Sequence, residues 1–205
     1  CVFPLDKIAL GQAIDSLQNT PEYTQLEEAL KEPEKVYRLN LSNQNFKKFP
    51  VDLSKFKNLQ YLSLRNDRLT SIPADISSLQ NLRVLDLGGN DFRVLPSSFY
   101  KLKNLEEIYL DEDKKLNLAT DFEILGQLPK LKVLHLENNN LRQLPQNIGK
   151  LTHLEKLYLG NNVLQFIPPQ VKRLKNLKLL DLNHNRLPPQ NQEAPLHGTG
   201  LQIKF

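Results

Sequence analysis

The stretch LRVLDLGGNDFRVLPSSFYKLKN, residues 82–104, decides the fold. Within it Leu82, Leu85, Leu87, Asn90, Phe92, Leu95, Pro96, Phe99 and Leu102 set a pattern that the rest of the chain repeats. Counting Leu82 as position 1, the pattern opens again at Val36, Leu59, Leu105, Leu131, Leu154 and Leu177, always 23 residues apart except between Leu105 and Leu131. Self-similarity at such a period predicts stacked coils, each too small to bury its own apolar side chains and each completed by its neighbours. Positions 4 and 6 alternate inward on a short strand, so positions 3, 5 and 7 share the opposite face. Stacked, these strands make one parallel sheet.

Position 9 must turn the chain and satisfy backbone groups that the turn leaves unpaired, which an Asn amide does as donor and acceptor together. It reads Gln44, Asp67, Asn90, Asp113, Asn139, Asn162 and Asn185. An ionised Asp cannot donate, so the early turns are expected to be bonded differently. Pro50, Pro73, Pro96, Pro145 and Pro168 fix φ on the returning side of each coil, which suits irregular or single-turn helical backbone there. The combination LxxLxLxxNxLxxLPxxIxxL resembles the 23-residue leucine-rich repeats of bacterial surface proteins and of intracellular Ras-pathway-type scaffolds. The resemblance covers about residues 36–187. It implies an α/β leucine-rich-repeat solenoid, a curved horseshoe with a parallel concave sheet of about eight strands, an N-terminal helical cap and a short C-terminal capping strand.

A solenoid needs covered ends. Residues 1–35 are predicted to form the N-terminal helical cap, with one helix from Leu5 to Leu17 and a second that Thr20 caps and Pro21 opens, carrying Tyr23, Leu26, Ala29 and Leu30. Residues 36–187 hold the seven repeats, and residues 188–205 the C-terminal cap, where Pro188 to Gly200 reads as a connection before a last strand with Leu201, Ile203 and Phe205. The entry segment Tyr23–Ser42 and this ending are similar to those of leucine-rich-repeat surface lipoproteins of the Bacteroidetes group. In the fourth repeat the 26-residue spacing and missing proline predict a three-residue insertion on a loop, either a tolerated bulge or part of a binding rim.

Composition narrows the function. The 27 basic residues are nearly balanced by 23 acidic ones, so the net charge of +4 does not predict a nucleic-acid partner. No run of about 18 apolar residues reads as a membrane span. One cysteine excludes an internal disulfide. The histidines, His135, His153, His184 and His197, show no paired-ligand spacing, and no nucleophile elbow, phosphate loop or dinucleotide fingerprint occurs. Asp111, Glu112 and Asp113 lack the glycine and spacing of a calcium loop. The chain is expected to be no enzyme, with no catalytic residue, no metal and no cofactor. Recurrent lysines such as Lys101, Lys103, Lys172 and Lys175 read as a solvated convex face.

The candidate site is on the outward strand positions. Position 5 runs Asn40, Ser63, Asp86, Tyr109, His135, Tyr158 and Asp181, and its three central rings are expected to stand exposed as anchors for a partner. Glu107, Asp111 and Glu137 flank them with acid and Lys156 with a base, which favours a basic segment. Cross-strand packing without any ligand is the other reading of such rings. A protein partner is expected, with a glycan as second candidate and the chain as a monomer. With no methionine anywhere, residue 1 is a processing product or an arbitrary start. Cys1 reads as a lipid-attachment residue, cleaved and acylated in the manner of bacterial lipoproteins. That places the chain at the bacterial cell envelope as a binding module. The alternatives are a cytoplasmic signalling scaffold and the substrate-binding part of a bacterial ubiquitin-ligase effector.

Overall fold

The computed structural model describes residue 17 and residues 19–46, 52–189 and 200–205. Cys1, Pro50, His197 and all but the last residue of the helix expected from Leu5 to Leu17 lie outside the described residues, as does most of the Pro188–Gly200 connection. Among the described residues the solenoid is one sheet of nine parallel strands paired in chain order. The strands are β1 (Glu22–Tyr23), β2 (Arg38–Asn40), β3 (Tyr61–Ser63), β4 (Val84–Asp86), β5 (Glu107–Tyr109), β6 (Val133–His135), β7 (Lys156–Tyr158), β8 (Leu179–Asp181) and β9 (Gln202–Lys204). Leu39, Leu62, Leu85, Ile108, Leu134, Leu157 and Leu180 pair in register on the inward side, all fully buried.

The strands stop after three residues because position 8 of every repeat lies in the left-handed region: Asn43, Asn66, Gly89, Glu112, Asn138, Asn161 and His184 have φ between 55° and 68°. Asn and Gly accept that conformation at least cost, which explains their recurrence there; Glu112 and His184 are the departures. The chain then dives inward to position 9. Asn90 Oδ1 accepts the backbone N–H groups of Asp67 and Leu69 at 3.2 and 3.0 Å, and its Nδ2 donates to the carbonyls of Leu64 and Leu87. Asn162 repeats this between Asn139, Leu141, Leu136 and Leu159. The amides therefore stitch each coil to the one before it.

Where position 9 is Asp, the bonding differs. Asp67 Oδ1 accepts from Gln44 and Asn45 of the preceding coil and so makes half the stitch, whereas Asp113 Oδ1 accepts only from Lys115 in its own turn, and the second oxygen of each is buried with no partner.

On the returning side, Pro73, Pro96, Pro145 and Pro168 each precede a five-residue 3₁₀ turn, with φ between −59° and −66°. A second ladder runs here that the pattern reading did not single out. Asn58, Asn81, Asn104 and Asn176, each just before position 1 of the next repeat, donate to the carbonyls of Glu34, Lys57, Gln80 and Thr152 at 2.7–2.9 Å. The recurring Asn-Leu dipeptide was its signal.

Two local expectations need correction. The helix expected from Pro21 is a strand first. Thr20 directs both its hydroxyl and its N–H back to the Leu17 carbonyl, at 2.8 and 3.0 Å, so it caps nothing downstream, and the free edge of β2 takes Glu22–Tyr23 as β1. Among the described residues of the cap only Leu26–Ala29 is α-helical (α1), with a 3₁₀ turn at Pro33–Lys35, yet Tyr23, Leu26, Ala29 and Leu30 still pack over the first coil. The insertion of repeat four is likewise not a loop bulge. It is absorbed in an eight-residue α-helix, α2 (Leu118–Leu125), which rises about 1.5 Å per residue where a 3₁₀ turn rises about 2.0. Asn117 caps α2, and Leu118, Phe122, Ile124 and Leu125 are buried. Asp121 reaches back to accept the N–H of Leu95 at 2.8 Å.

Burial pushes the carboxyls of Asp113 and Asp121 up to about 6, and raises that of Asp67 against the backbone N–H bonds it accepts. A carboxyl with a higher pKa in the fold than in the open chain contributes stability fully below about pH 4 and loses it as pH rises to about 6. Asp113→Asn supplies the missing donor at every pH. It is expected to add about 1 kcal/mol at neutral pH and to flatten the decline in stability between about pH 4 and 6, as urea unfolding across that range would show.

Candidate functional site

The parallel register places position 5 of every coil in one row, because Tyr109 pairs with His135 and His135 with Tyr158. The three rings stack. Centroids of Tyr109 and His135 are 3.9 Å apart at an interplanar angle of 10°, and those of His135 and Tyr158 are 4.4 Å apart at 4°. The imidazole thus fills the space between two phenol faces. Its edges meet carboxylates, with Nε2 3.1 Å from Glu107 Oε1 and Nδ1 3.2 Å from Glu137 Oε1. Tyr109 donates its hydroxyl to the same Glu107 oxygen at 2.7 Å.

The exposure expected of this row needs correction. Tyr109 is 7% exposed, His135 3% and Glu107 not at all, while Tyr158, Glu137 and Lys156 are half-buried. Each central ring is covered on its faces by its neighbours. On the N-terminal side Tyr109 belongs to an apolar cluster with Tyr61, Val84 and Leu17.

Asp111 also differs from the open acidic flank that the sequence suggests. Arg65, at the end of the β3 coil, crosses to it with Nη2 2.6 Å from both Asp111 oxygens and Nε 3.0 Å from Asp86. Gly88 makes that crossing feasible, since a Cβ there would sit 2.5 Å from Arg65 Nη2 and 2.7 Å from Asp111 Oδ1. Glu112 joins Arg65 at 3.4 Å, whereas Asp113 turns into the core. The three neighbouring acids therefore diverge, and among the described residues no group of three or more His, Cys, Asp or Glu is placed to hold a metal ion.

Electrostatics follow from burial. Desolvation alone would lower the His135 pKa, but its bonds to Glu107 and Glu137 overcome it and carry it to about 9, so the ring is an imidazolium at neutral pH. Both nitrogens then donate to acceptor-only carboxylates. Burial raises the Tyr109 phenol, with Glu107 adding to it, and raises Asp86 despite Arg65 beside it.

Two family models, both described as leucine-rich repeat, match residues 35–121 and 129–187. The chain is a leucine-rich-repeat protein. Among solved structures, it is 28% identical to a leucine-rich-repeat protein of Leptospira interrogans, covering 89% of this chain and 57% of that one with a TM-score of 0.58. A plant peptide hormone receptor in complex with RGF2 is also 28% identical, covering 75% of this chain and 25% of the receptor, TM-score 0.54. The Toll–Spatzle complex of Drosophila shares the fold, with TM-score 0.72 at 22% identity over 89% of this chain and 25% of that one. This leucine-rich-repeat chain thus spans little more than half of the Leptospira protein and a quarter of each of the other two. No match was found among curated proteins. No helix among the described residues is long and apolar enough to cross a membrane.

Because the His135 pKa is raised in the fold, the stability it contributes is fully present below about pH 6.5 and is lost as pH rises through about 9. Urea midpoints are expected to fall between those limits, and His135→Gln to remove most of the fall. A wild-type profile that stays flat there would show that the imidazolium bridge is absent.

Proposed function

We propose that this leucine-rich-repeat chain is a non-enzymatic binding module that presents the outward face of its sheet to a protein partner at the bacterial cell envelope. One observation carries the reading: the Tyr109–His135–Tyr158 stack, held on Glu107 and Glu137. Desolvated ion pairs contribute little net stability compared with apolar packing, and the leucine core lies on the other side of the sheet. Titratable groups with displaced pKa values cluster at functional sites. Held rigid before a partner arrives, the row costs little further ordering on association.

The open end of the row is where contact would fall. Tyr158 with Lys156, Glu137 and Asp181 is half-buried and offers an aromatic surface edged by both charge signs. A protein partner draws support from the receptor resolved with RGF2, which has the same repeat architecture. A glycan, which would use the same aromatic and carboxylate edges, is the second candidate. Attachment to the envelope rests on the likeness of the entry segment and the ending to those of bacterial lipoproteins, and the Leptospira protein is a bacterial neighbour in keeping with it.

The folded domain, used as bait against bacterial and host lysates, is expected to capture a protein that Tyr158→Ala combined with Lys156→Glu binds roughly tenfold more weakly, the loss one aromatic anchor carries. The same change on the returning side, Lys172→Glu, should leave capture intact. Equal capture by the sheet-face and control variants would move the site off this face. Anchoring is tested separately. Expressed with its natural leader in a bacterial host, the protein should partition into detergent and a Cys1→Ser form should remain aqueous, since acyl chains contribute about 0.8 kcal/mol per buried CH₂. Aqueous behaviour of both forms would refute the lipid.

A further inference from the structure

Among the described residues the outward face carries one apolar seat, and a side chain from the chain's own N-terminal segment fills it. Leu17 is 2% exposed and clusters with Tyr61 on β3, Val84 on β4 and Tyr109 on β5, apart from the leucine core inside the solenoid. Tyr61 and Val84 are paired neighbours at position 3, and Tyr109 stands at position 5 of the next strand, so the three line a shallow triangle beside the ring stack.

How Leu17 gets there is also on view. β1 lies at the sheet edge, and Val84 is three strands away, about 14 Å at strand spacing. A turn from Leu17 to Thr20, closed by the bond from the Thr20 N–H to the Leu17 carbonyl, folds the chain back from β1 over the face of the sheet. The approach is staked at Thr20, whose N–H and hydroxyl both bond to the Leu17 carbonyl. Arg38 donates to the Thr20 carbonyl at 3.4 Å and to Glu22 at 2.6 Å, with its guanidinium 5.6 Å from the centroid of the Tyr61 ring. One arginine therefore ties the incoming segment to the rim of the seat.

We propose that Leu17 is a displaceable plug. The seat takes the aliphatic side chain of an extended protein segment, and in the free protein the occupant is the chain's own segment around residues 17–22. Three features separate a plug from a core residue. Leu17 packs on the face opposite the leucine ladder, the bonds to its carbonyl among the described residues come from Thr20 three residues on, and the seat is continuous through Tyr109 with the row assigned above to partner binding. The consequence for that partner rests on the preceding functional reading; the plug itself does not.

The test needs no partner. In the full chain carrying Cys1→Ser, a cysteine is placed by Leu17→Cys, or by Leu39→Cys in the core as a control, and its labelling by a maleimide is followed in low denaturant. A plug opens locally, so labelling at position 17 is expected at least about a hundredfold faster than at position 39, with little denaturant dependence. Adding Val84→Asp should bring position 17 to the rate of a free thiol. A peptide of residues 13–23 at about millimolar concentration, the effective concentration of a tethered segment, should speed labelling at position 17. The same peptide with Leu17→Asp should not. Labelling at position 17 that matches position 39 in rate and denaturant dependence would make Leu17 a core residue and overturn the proposal. So would a free-thiol rate without Val84→Asp, a peptide effect indifferent to the leucine, or loss of the native circular dichroism in Leu17→Cys.

Discussion

Each coil of this protein turns inward at position 9, and that turn buries backbone N–H and carbonyl groups which water cannot reach and which no strand partner meets. An unmade buried hydrogen bond costs about 1–3 kcal/mol, so a stack of coils without a remedy would forfeit much of what leucine burial contributes. The asparagine amide solves this for two coils at once, accepting from the earlier coil and donating to carbonyls of both. Leucine packing then follows, since the amides fix the spacing at which position 4 of one coil meets position 4 of the next. Asp67 and Asp113 show the limit of the device. Asp67 accepts from the earlier coil as asparagine does, Asp113 only from its own turn, and each leaves an oxygen buried and unpaired that protonation could turn into a donor.

Much of this was legible in the sequence because it is periodic. The apolar residues at positions 1, 4 and 6, stated in all seven repeats, and the proline of the returning side, stated in five, depend on local chain geometry. Position 8 was equally periodic in backbone conformation, but its residues vary from Gly89 to Glu112 to His184, so the shared left-handed φ was masked by unlike side chains. The nature of the fourth repeat was hidden for another reason. An insertion announces its length, not whether the added residues loop out or tighten into α2.

The candidate site was legible only as a row of names. That Tyr109, His135 and Tyr158 stand in line follows from period and register, and the structure does bring them together. Their burial does not follow, since it depends on partners far away in sequence. Arg65 reaches Asp111 across an intervening strand because position 7 of that strand is Gly88, and Leu17 arrives from beyond the first coil to close on Tyr109. Reading outward positions as exposed treats each strand as though its neighbours carried no side chains. Arg65 and Leu17 were both in view, yet nothing in the repeat pattern joins them to the rings.

The break in the period also bears on why the stack can exist. Tyr109 and His135 are 26 residues apart, while His135 and Tyr158 are 23 apart, yet both pairs are in register on adjacent strands. The three additional residues are taken up on the returning side by α2, and β5 and β6 meet as though nothing had been added. Had they fallen on the strand side, an odd shift would have carried every outward side chain of β6 inward, because alternation has a period of two. His135 would then have lain in the leucine core with no carboxylate to hold its charge. The same partition lets the sheet face keep a charged and aromatic row while the returning face varies in length and helix type, so the row and the variable surface of the solenoid stay physically independent.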